Sequence, residues 1–303
     1  MGLQLTLDSR RRILESIVRL PRLRSLEINA HTTLPTSPSW DATILLRLPL
    51  LHSLSIVLPD HNFAKHLPAI LDRQASLGEA DVPGQDVSYR NAGRGLRELS
   101  ILCRESPVFG RSIVPLLTDA LRRMRIDSFS LAGCTQIDLD SLLDLVGAME
   151  PSLRHLSLES VATAEFWSRC PPLVKLKSLR LTHPSSFHRQ LAQFHVSLAH
   201  ALTQIEVLEE FTIYHSGSNS DPAFPQAVDV WAIIDSGVVN VLVNMHAATL
   251  RKFECSGVLL ELHDIDSLSR CGEMRNLVVH LDVDLEEVSP FHTSSARMIL
   301  TVS

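Results

Sequence analysis

Apolar residues recur along the chain in a fixed frame, and the segment PSLRHLSLES, residues 151–160, is a clear copy of it. Leu153, Leu156 and Leu158 hold its apolar positions, while polar residues fill nearly all the others. Because side chains alternate between the two faces of a strand, Leu156 and Leu158 predict a short strand with one apolar face. Leu153 is expected to pack where the chain turns into that strand.

The same frame, Leu-x-x-Leu-x-Leu with Ile, Phe, Val, Met or Cys as substitutes, occurs about nine times, and LQLTL at residues 3–7 resembles the end of a tenth copy. The copies are LRSLEI, LHSLSI, LRELSI, IDSFSL, LRHLSL, LKSLRL, LEEFTI, LRKFEC and MRNLVV. The steps between their central apolar positions are 28, 45, 30, 27, 23, 32, 42 and 24 residues. Most steps lie in or near the range of about 20 to 29 residues that is typical of leucine-rich repeats.

Segments with helical spacing lie between the copies and would return the chain to the next strand. Examples are residues 8–20, with Ile13, Ile17 and Leu20 on one side and a cap at residue 8 or 9, and residues 185–202. One repeat cannot bury its apolar face alone, so stacked repeats build the core. We therefore predict a single α/β leucine-rich-repeat solenoid, or horseshoe, over residues 1–303, with parallel strands on the concave side and helices on the convex side. The long steps predict insertions near residues 57–95 and 214–249, the second with an apolar helix over residues 230–245.

One copy carries a more specific pattern. From Leu131 the chain reads LAGCTQIDLDSLLDL, and CGEMRNLVV repeats the first half of that pattern, with Cys271 three residues before Met274. This resembles the cysteine-containing class of leucine-rich repeats in F-box proteins, with irregular steps like those of fungal relatives. The resemblance to leucine-rich repeats in general covers the whole chain. The resemblance to the cysteine-containing class covers only one or two copies.

The resemblance implies a protein that recognises substrates for an SCF-type ubiquitin ligase, joined to a Skp-type adaptor and a cullin through an F-box. The alternative is a free-standing leucine-rich-repeat adaptor or inhibitor unrelated to ubiquitin. Strand-like sequence begins at Leu3, so we expect any F-box in a longer parent chain. The apolar C-terminal ARMILTVS likewise suggests a fragment, or an end that pairs, because solenoid ends usually carry polar caps.

Composition narrows the partners and the compartment. The chain is 45% hydrophobic with a net charge of −6, which indicates a folded core and gives no electrostatic footprint for nucleic acid. No apolar run approaches the roughly 18 residues of a membrane span, so no membrane partner is predicted. Five cysteines without a CxxC pair predict free structural thiols in a reducing compartment, either cytoplasmic or nuclear.

No pattern in the sequence indicates catalysis, a cofactor or a metal ion. In the histidine-rich segment 183–200, His188 and His195 are seven residues apart, or about 10.5 Å along a helix, too far to share one zinc ion. The sequence contains no HExxH, GxSxG or Walker motif. We therefore predict a non-catalytic protein without a cofactor.

The candidate site is a row of strand positions that point away from the core and would line the concave face. Larger and charged side chains gather in the later repeats, and there we expect a protein target to bind. These positions are His155, Ser157, Glu159, Ser178, Arg180, Thr182, Glu210, Thr212, Tyr214, Lys252 and Glu254. The alternative is that they are solvated strand positions without a partner.

Overall fold

The computed structural model describes residues 7–29, 42–58, 61–79, 95–103, 113–134, 137–184, 190–215, 232–283 and 296–302. The chain divides into two compact units, residues 1–153 and 154–303. In each unit, parallel strands alternate with helices, as the repeated frame predicts. The leucine-rich-repeat horseshoe and the single domain over residues 1–303 stay predictions.

The described part of the first unit has four strands, four α-helices and a 3-10 helix. In chain order these are α1 (Leu7–Ile17), β1 (Ser25–Asn29), the 3-10 helix Ala42–Arg47, β2 (Ser53–Leu58), α2 (His61–Glu79), β3 (Glu98–Cys103), α3 (Val114–Arg122), β4 (Ser128–Ala132) and α4 (Leu139–Met149). The strands pair in sequence order, all parallel. The central apolar residues of successive repeats lie side by side on adjacent strands and form the row Leu26, Leu54, Leu99 and Phe129. These side chains are buried and form the apolar face of this sheet.

The second unit repeats this arrangement with longer strands at its end. Its elements are β5 (His155–Glu159), α5 (Ala164–Arg169), β6 (Ser178–His183), α6 (Leu191–Leu202), β7 (Glu210–His215), β8 (Ala232–Ile233), α7 (Ser236–His246), β9 (Lys252–Leu260), α8 (Leu262–Leu268), β10 (Asn276–Val283) and β11 (Ala296–Val302). β5, β6, β7, β9 and β10 are parallel neighbours in that order. The central apolar row of this unit is Leu156, Leu179, Phe211, Phe253 and Leu277.

Two strands of the second unit depart from the predicted pattern. β8 is an extra two-residue strand that pairs in parallel with Val258 and Leu259 of β9. β11 pairs antiparallel with β10, so the apolar C-terminal segment extends the sheet rather than continuing the parallel series. The repeat frame predicts neither strand, because neither contains a copy of it.

A backbone feature recurs where the repeats join. The carbonyl of the residue just before a strand accepts two N–H groups from the next repeat. Arg24 accepts from residues 52 and 53, Arg154 from residues 177 and 178, and Lys177 from residues 209 and 210, at 2.7–3.0 Å. This repeated double hydrogen bond holds successive strands in the same register.

Some of the helices begin at a residue whose side chain caps them. Asp138 caps α4 and Thr163 caps α5, each through a side-chain oxygen that accepts a backbone N–H. α1 begins at Leu7, so the cap predicted at residue 8 or 9 is wrong. Among the described side chains of this helix, Leu14 is buried and Ile13 is 40% exposed, so the buried side of the helix is shifted by about one residue from the predicted one.

The predicted insertions contain regular structure. Residues 61–79 of the first insertion form one helix, α2, which includes Pro68. Residues 80–94 of this insertion lie outside the described residues. In the second insertion the helix predicted over residues 230–245 begins only at Ser236, because Asp235 caps it by accepting the N–H of Gly237 at 2.7 Å. Residues 216–231 lie outside the described residues.

Two of the five cysteines are bonded to each other. Cys103, at the end of β3, and Cys134, just after β4, form a disulfide, while Cys170, Cys255 and Cys271 are free thiols. The prediction of five free thiols is therefore wrong for this pair, which parallel pairing of neighbouring strands brings together. The predicted reducing compartment, cytoplasmic or nuclear, was argued from free thiols. The disulfide removes that argument, and the location stays a prediction.

Candidate functional site

The predicted site residues all lie on strands of the second unit, in rows set by the strand register. One row joins Ser157, Arg180, Thr212 and Glu254, and the next contains Thr182 and Tyr214. His155, Ser178, Glu210 and Lys252 form the row at the strand starts. Alternation along each strand places these side chains opposite the buried Leu179 row. We call this surface the polar face.

Exposure varies widely across the polar face. His155, Arg180 and Glu210 are exposed, whereas Thr182, Thr212 and Tyr214 are only 7–9% exposed. The sequence placed all of these side chains away from the core and did not distinguish buried from exposed ones. The signal available was an aromatic residue at this position, in a chain with only two tyrosines.

Arg180 and Tyr214 form the centre of the polar face. The guanidinium carbon of Arg180 lies 5.0 Å from the centre of the Tyr214 ring, within the range of a cation–π interaction. Its Nε lies 3.5 Å from Oε1 of Glu159. The Arg180 side chain remains 54% exposed, so its guanidinium is available to a partner. We name Glu159, Arg180, Tyr214 and Glu254 the Arg180 cluster.

The hydroxyl of Tyr214 is buried and makes no hydrogen bond with the described residues. Burial, followed by the Glu159 carboxylate, raises the pKa of Tyr214 to about 12, so the phenol keeps its proton at neutral pH. Glu159 and Thr182 are close enough to affect this pKa, but neither meets hydrogen-bond geometry. Within the described residues, the buried O–H is therefore a donor without an acceptor.

Thr182 instead supports the turn that follows β5. Its Oγ1 accepts the backbone N–H of Ser160 at 3.1 Å. Ser160 has a φ of 60°, a left-handed conformation that is uncommon for a residue other than glycine. This hydrogen bond stabilises the turn next to Glu159 and helps to position that carboxylate.

Glu254, on β9, is the fourth member of the Arg180 cluster. Its Oε2 lies 2.9 Å from Nζ of Lys252, and its Oε1 accepts the Ser256 hydroxyl at 3.2 Å. Burial acts to raise the pKa of Glu254, but Lys252, Ser256 and Arg180 outweigh it, so the pKa is lowered. The cluster therefore presents carboxylates beside an exposed guanidinium and a buried phenol donor.

Sequence analysis missed a row of charged residues, one at the position directly before each of the strands β6, β7 and β9. Nζ of Lys177 lies 2.5 Å from Oε1 of Glu209, and a guanidinium nitrogen of Arg251 lies 3.3 Å from Oε2 of Glu209. The hydrogen bond from Lys177 is the main cause of the lowered pKa of Glu209. All three residues occupy the same repeat position, so the repeat alignment contained the signal.

The histidine-rich segment forms a pair different from the one considered in the sequence. His195 of α6 meets His183 of β6, with their Nε2 atoms 2.8 Å apart, and Nδ1 of His183 lies 2.7 Å from the Pro184 carbonyl. Nδ1 of His183 must then donate, so its Nε2 accepts a hydrogen bond from the Nε2–H of His195. Burial, then His195, lowers the pKa of His183 to about 4. His188 lies outside the described residues.

The described residues contain neither a metal-binding cluster nor a membrane-spanning helix. Across residues 7–302 with the gaps given above, no group of three or more His, Cys, Asp and Glu side chains is arranged to hold a metal ion. No helix in those same segments is long and apolar enough to cross a membrane. Comparison of the chain with protein-family models and with curated proteins found no match.

Proposed function

We propose that the protein is a non-catalytic recognition module that binds a protein target on the polar face of its second unit, through the Arg180 cluster. The observation that carries this proposal is an exposed guanidinium held over a buried tyrosine ring, with the Glu159 carboxylate beside it. The cation–π contact keeps the guanidinium in place for a ligand. Arg and Tyr are also enriched among the residues that dominate protein-binding energies.

The charges of the cluster define the kind of contact that a target would make. The exposed Arg180 guanidinium donates hydrogen bonds, so the bound segment must offer a carboxylate, amide carbonyl or hydroxyl oxygen. Glu159 and Glu254 lie on either side of Arg180 in the sheet, so a basic or amide group beside that acceptor completes the match. A short peptide segment that carries an oxygen acceptor next to a basic or amide group fits this surface.

The test compares two arginines of similar exposure. Arg180→Ala removes the guanidinium of the cluster, while Arg122→Ala removes a control guanidinium that is 59% exposed and pairs with Asp119 at 3.2 Å. Partners captured from a source lysate by the unmodified protein and by Arg122→Ala are identified and purified, and their affinities are measured by calorimetry. We expect Arg180→Ala to bind the partner more than about tenfold more weakly. Equal affinity of all three proteins would exclude the Arg180 cluster as the binding site.

The link to ubiquitin rests on the sequence resemblance and remains part of the proposal. Affinity capture with the longest natural transcript product, beside this 303-residue chain, separates the two alternatives. Recovery of a Skp-type adaptor and a cullin with the longer product alone supports substrate recognition for an SCF-type ligase. If neither chain recovers them and both share another partner, the free-standing adaptor or inhibitor is supported.

A further inference from the structure

The first unit has a strand with an unpaired edge. β1 is the first strand in the strand order, and among the described residues it pairs with β2 alone. The outer edge of such a strand presents backbone N–H and C=O groups that can pair with another chain. We call this outer edge, with the residues directly before it, the β1 edge.

The double hydrogen bond between repeats shows which groups lack a partner at the β1 edge. At the start of each of the strands β2, β3 and β4, two successive N–H groups donate to one carbonyl of the preceding repeat, at 2.7–3.1 Å. The equivalent N–H groups at β1 belong to Arg24 and Ser25, and no described residue accepts from them. One carbonyl oxygen of an added parallel strand would satisfy both.

An exposed leucine lies at the same end of the unit. Residues 19–26 read RLPRLRSL and residues 47–54 read RLPLLHSL, so the two copies differ at only two positions. Leu48 is 2% exposed, whereas Leu20, at the same position of its copy, is 51% exposed. The repeat of β1 precedes Leu48, but no described repeat precedes Leu20. The β1 edge therefore includes apolar surface that a further chain could cover.

The charge of this end is opposite to that of the whole chain. Five arginines and two glutamates lie between residues 11 and 28, although the net charge of the protein is −6. Arg11 pairs with Glu15 at 3.0 Å. The other four arginines are exposed and form no ion pair with a described residue; they are Arg12, Arg19, Arg22 and Arg24. Charge complementarity therefore favours an acidic partner.

We propose that the β1 edge binds an extended acidic protein segment as an added parallel strand, with carboxylates at the N-terminal end of that segment beside Arg22 and Arg24. The segment would supply the carbonyl that the N–H groups of Arg24 and Ser25 lack, and an apolar side chain would cover Leu20. Main-chain hydrogen bonds give affinity in strand addition of this kind, and side chains give specificity. The site goes beyond the proposed recognition of a target, since the Arg180 cluster takes no part in it.

Other occupants match the β1 edge less well. A second copy of the chain would bring the same arginines, and like charges oppose each other at an interface. Residues 1–6, MGLQLT, contain no carboxylate side chain. An anionic membrane would attract the arginines, but it offers no strand to the backbone of β1. An acidic extended segment matches the charge, the N–H groups and the exposed leucine together.

The experiment compares three acetylated and amidated peptides on the full chain. EEVTVTV carries carboxylates at its N-terminal end, VTVTVEE has the same composition in reverse order, and QQVTVTV lacks the charge. Because two exposed ion pairs are at stake, we expect EEVTVTV to bind about tenfold more tightly than either of the others at low salt. Added salt should reduce this preference. Calorimetry measures the three affinities.

Hydrogen exchange followed by mass spectrometry locates the bound peptide. EEVTVTV should slow the exchange of backbone amides at residues 24–28, because strand addition pairs the outer edge of β1. The amides of β3, residues 98–103, serve as the internal control, since β3 already has a parallel neighbour on each side. Their exchange should not change.

A pair of variants tests the arginines. Arg22→Ala/Arg24→Ala removes two guanidinium groups from the β1 edge, while Arg122→Ala removes a control guanidinium on α3 that is 59% exposed. We expect the double variant to bind EEVTVTV about as weakly as the unmodified protein binds QQVTVTV, and Arg122→Ala to bind it normally. Circular dichroism checks folding, and if the double variant does not fold, the three peptides decide.

Several outcomes would overturn the proposal. They are the absence of saturable binding of EEVTVTV, equal binding of EEVTVTV and VTVTVEE, and unchanged exchange at residues 24–28. Binding to vesicles of phosphatidylcholine and phosphatidylserine without binding of EEVTVTV would replace the acidic segment with a membrane surface. A dimer that protects residues 24–28 and is not displaced by EEVTVTV would replace it with a second copy of the chain.

Discussion

Tyr214→Phe tests the central feature of the polar face by removing one oxygen atom. The hydroxyl is buried, the residue is 9% exposed, and no described residue accepts its hydrogen bond. A buried, unsatisfied polar group costs about 1–3 kcal/mol, so removing it should raise the free energy of unfolding by about 1 kcal/mol. The aromatic face beneath Arg180 is retained, because phenylalanine also supports a cation–π contact.

Thr182→Val is the matched control for this prediction. It also removes a hydroxyl from the same face with little change in shape, but this hydroxyl accepts the Ser160 N–H at 3.1 Å. Thr182→Val should therefore lower the free energy of unfolding by about 0.5–1.5 kcal/mol. The two substitutions are expected to have opposite signs.

Urea unfolding followed by circular dichroism measures both variants, with the slope m checked for constancy. A Tyr214→Phe variant less stable than the unmodified protein would refute the reasoning, because the hydroxyl would then have a partner such as Glu159 in solution. A variant that is more stable but binds the target less well would show stability given up for recognition at this position.

Three further predictions address the core, the histidine pair and the disulfide. Phe253→Ala should lower the free energy of unfolding, measured with urea, by about 3–5 kcal/mol, because Phe253 is fully buried and its ring centre lies 5.8 Å from that of Phe211. Phe253→Leu should lower it clearly less. Equal losses in the two variants would contradict the repeat frame. The folded-state pKa of His183, about 4 against 6.5, means that the unfolded chain binds the extra proton. The contribution of His183 to the free energy of unfolding should therefore be full above about pH 6.5 and fall towards pH 4. In His183→Gln, the slope of the free energy of unfolding against pH in this range should decrease by up to about 1.4 kcal/mol per pH unit. An unchanged slope would rule out His183 as its source. Non-reducing peptide mapping should recover the Cys103–Cys134 linkage, and its loop of 31 residues predicts a loss of about 3–4 kcal/mol on reduction; five titratable thiols in unfolded, unreduced protein would contradict it.

The sequence by itself determined the repeated units and their apolar rows. Leu156 and Leu158 identify a strand because their spacing of two is a property of any extended backbone. The alignment of Leu156 with Leu179 and Phe211 also predicted which residues face each other across the sheet, and the strand register agrees. Such features depend on local spacing that every repeat carries within its own few residues.

The tertiary structure alone decided the contacts between repeats and the ends of the pattern. Tyr214 is buried beneath Arg180, His183 meets His195, and β11 reverses direction against β10. None of these follows from spacing along one segment, because each depends on how side chains from separate elements shield one another. Burial of the Tyr214 hydroxyl arises only once neighbouring strands and helices have excluded water.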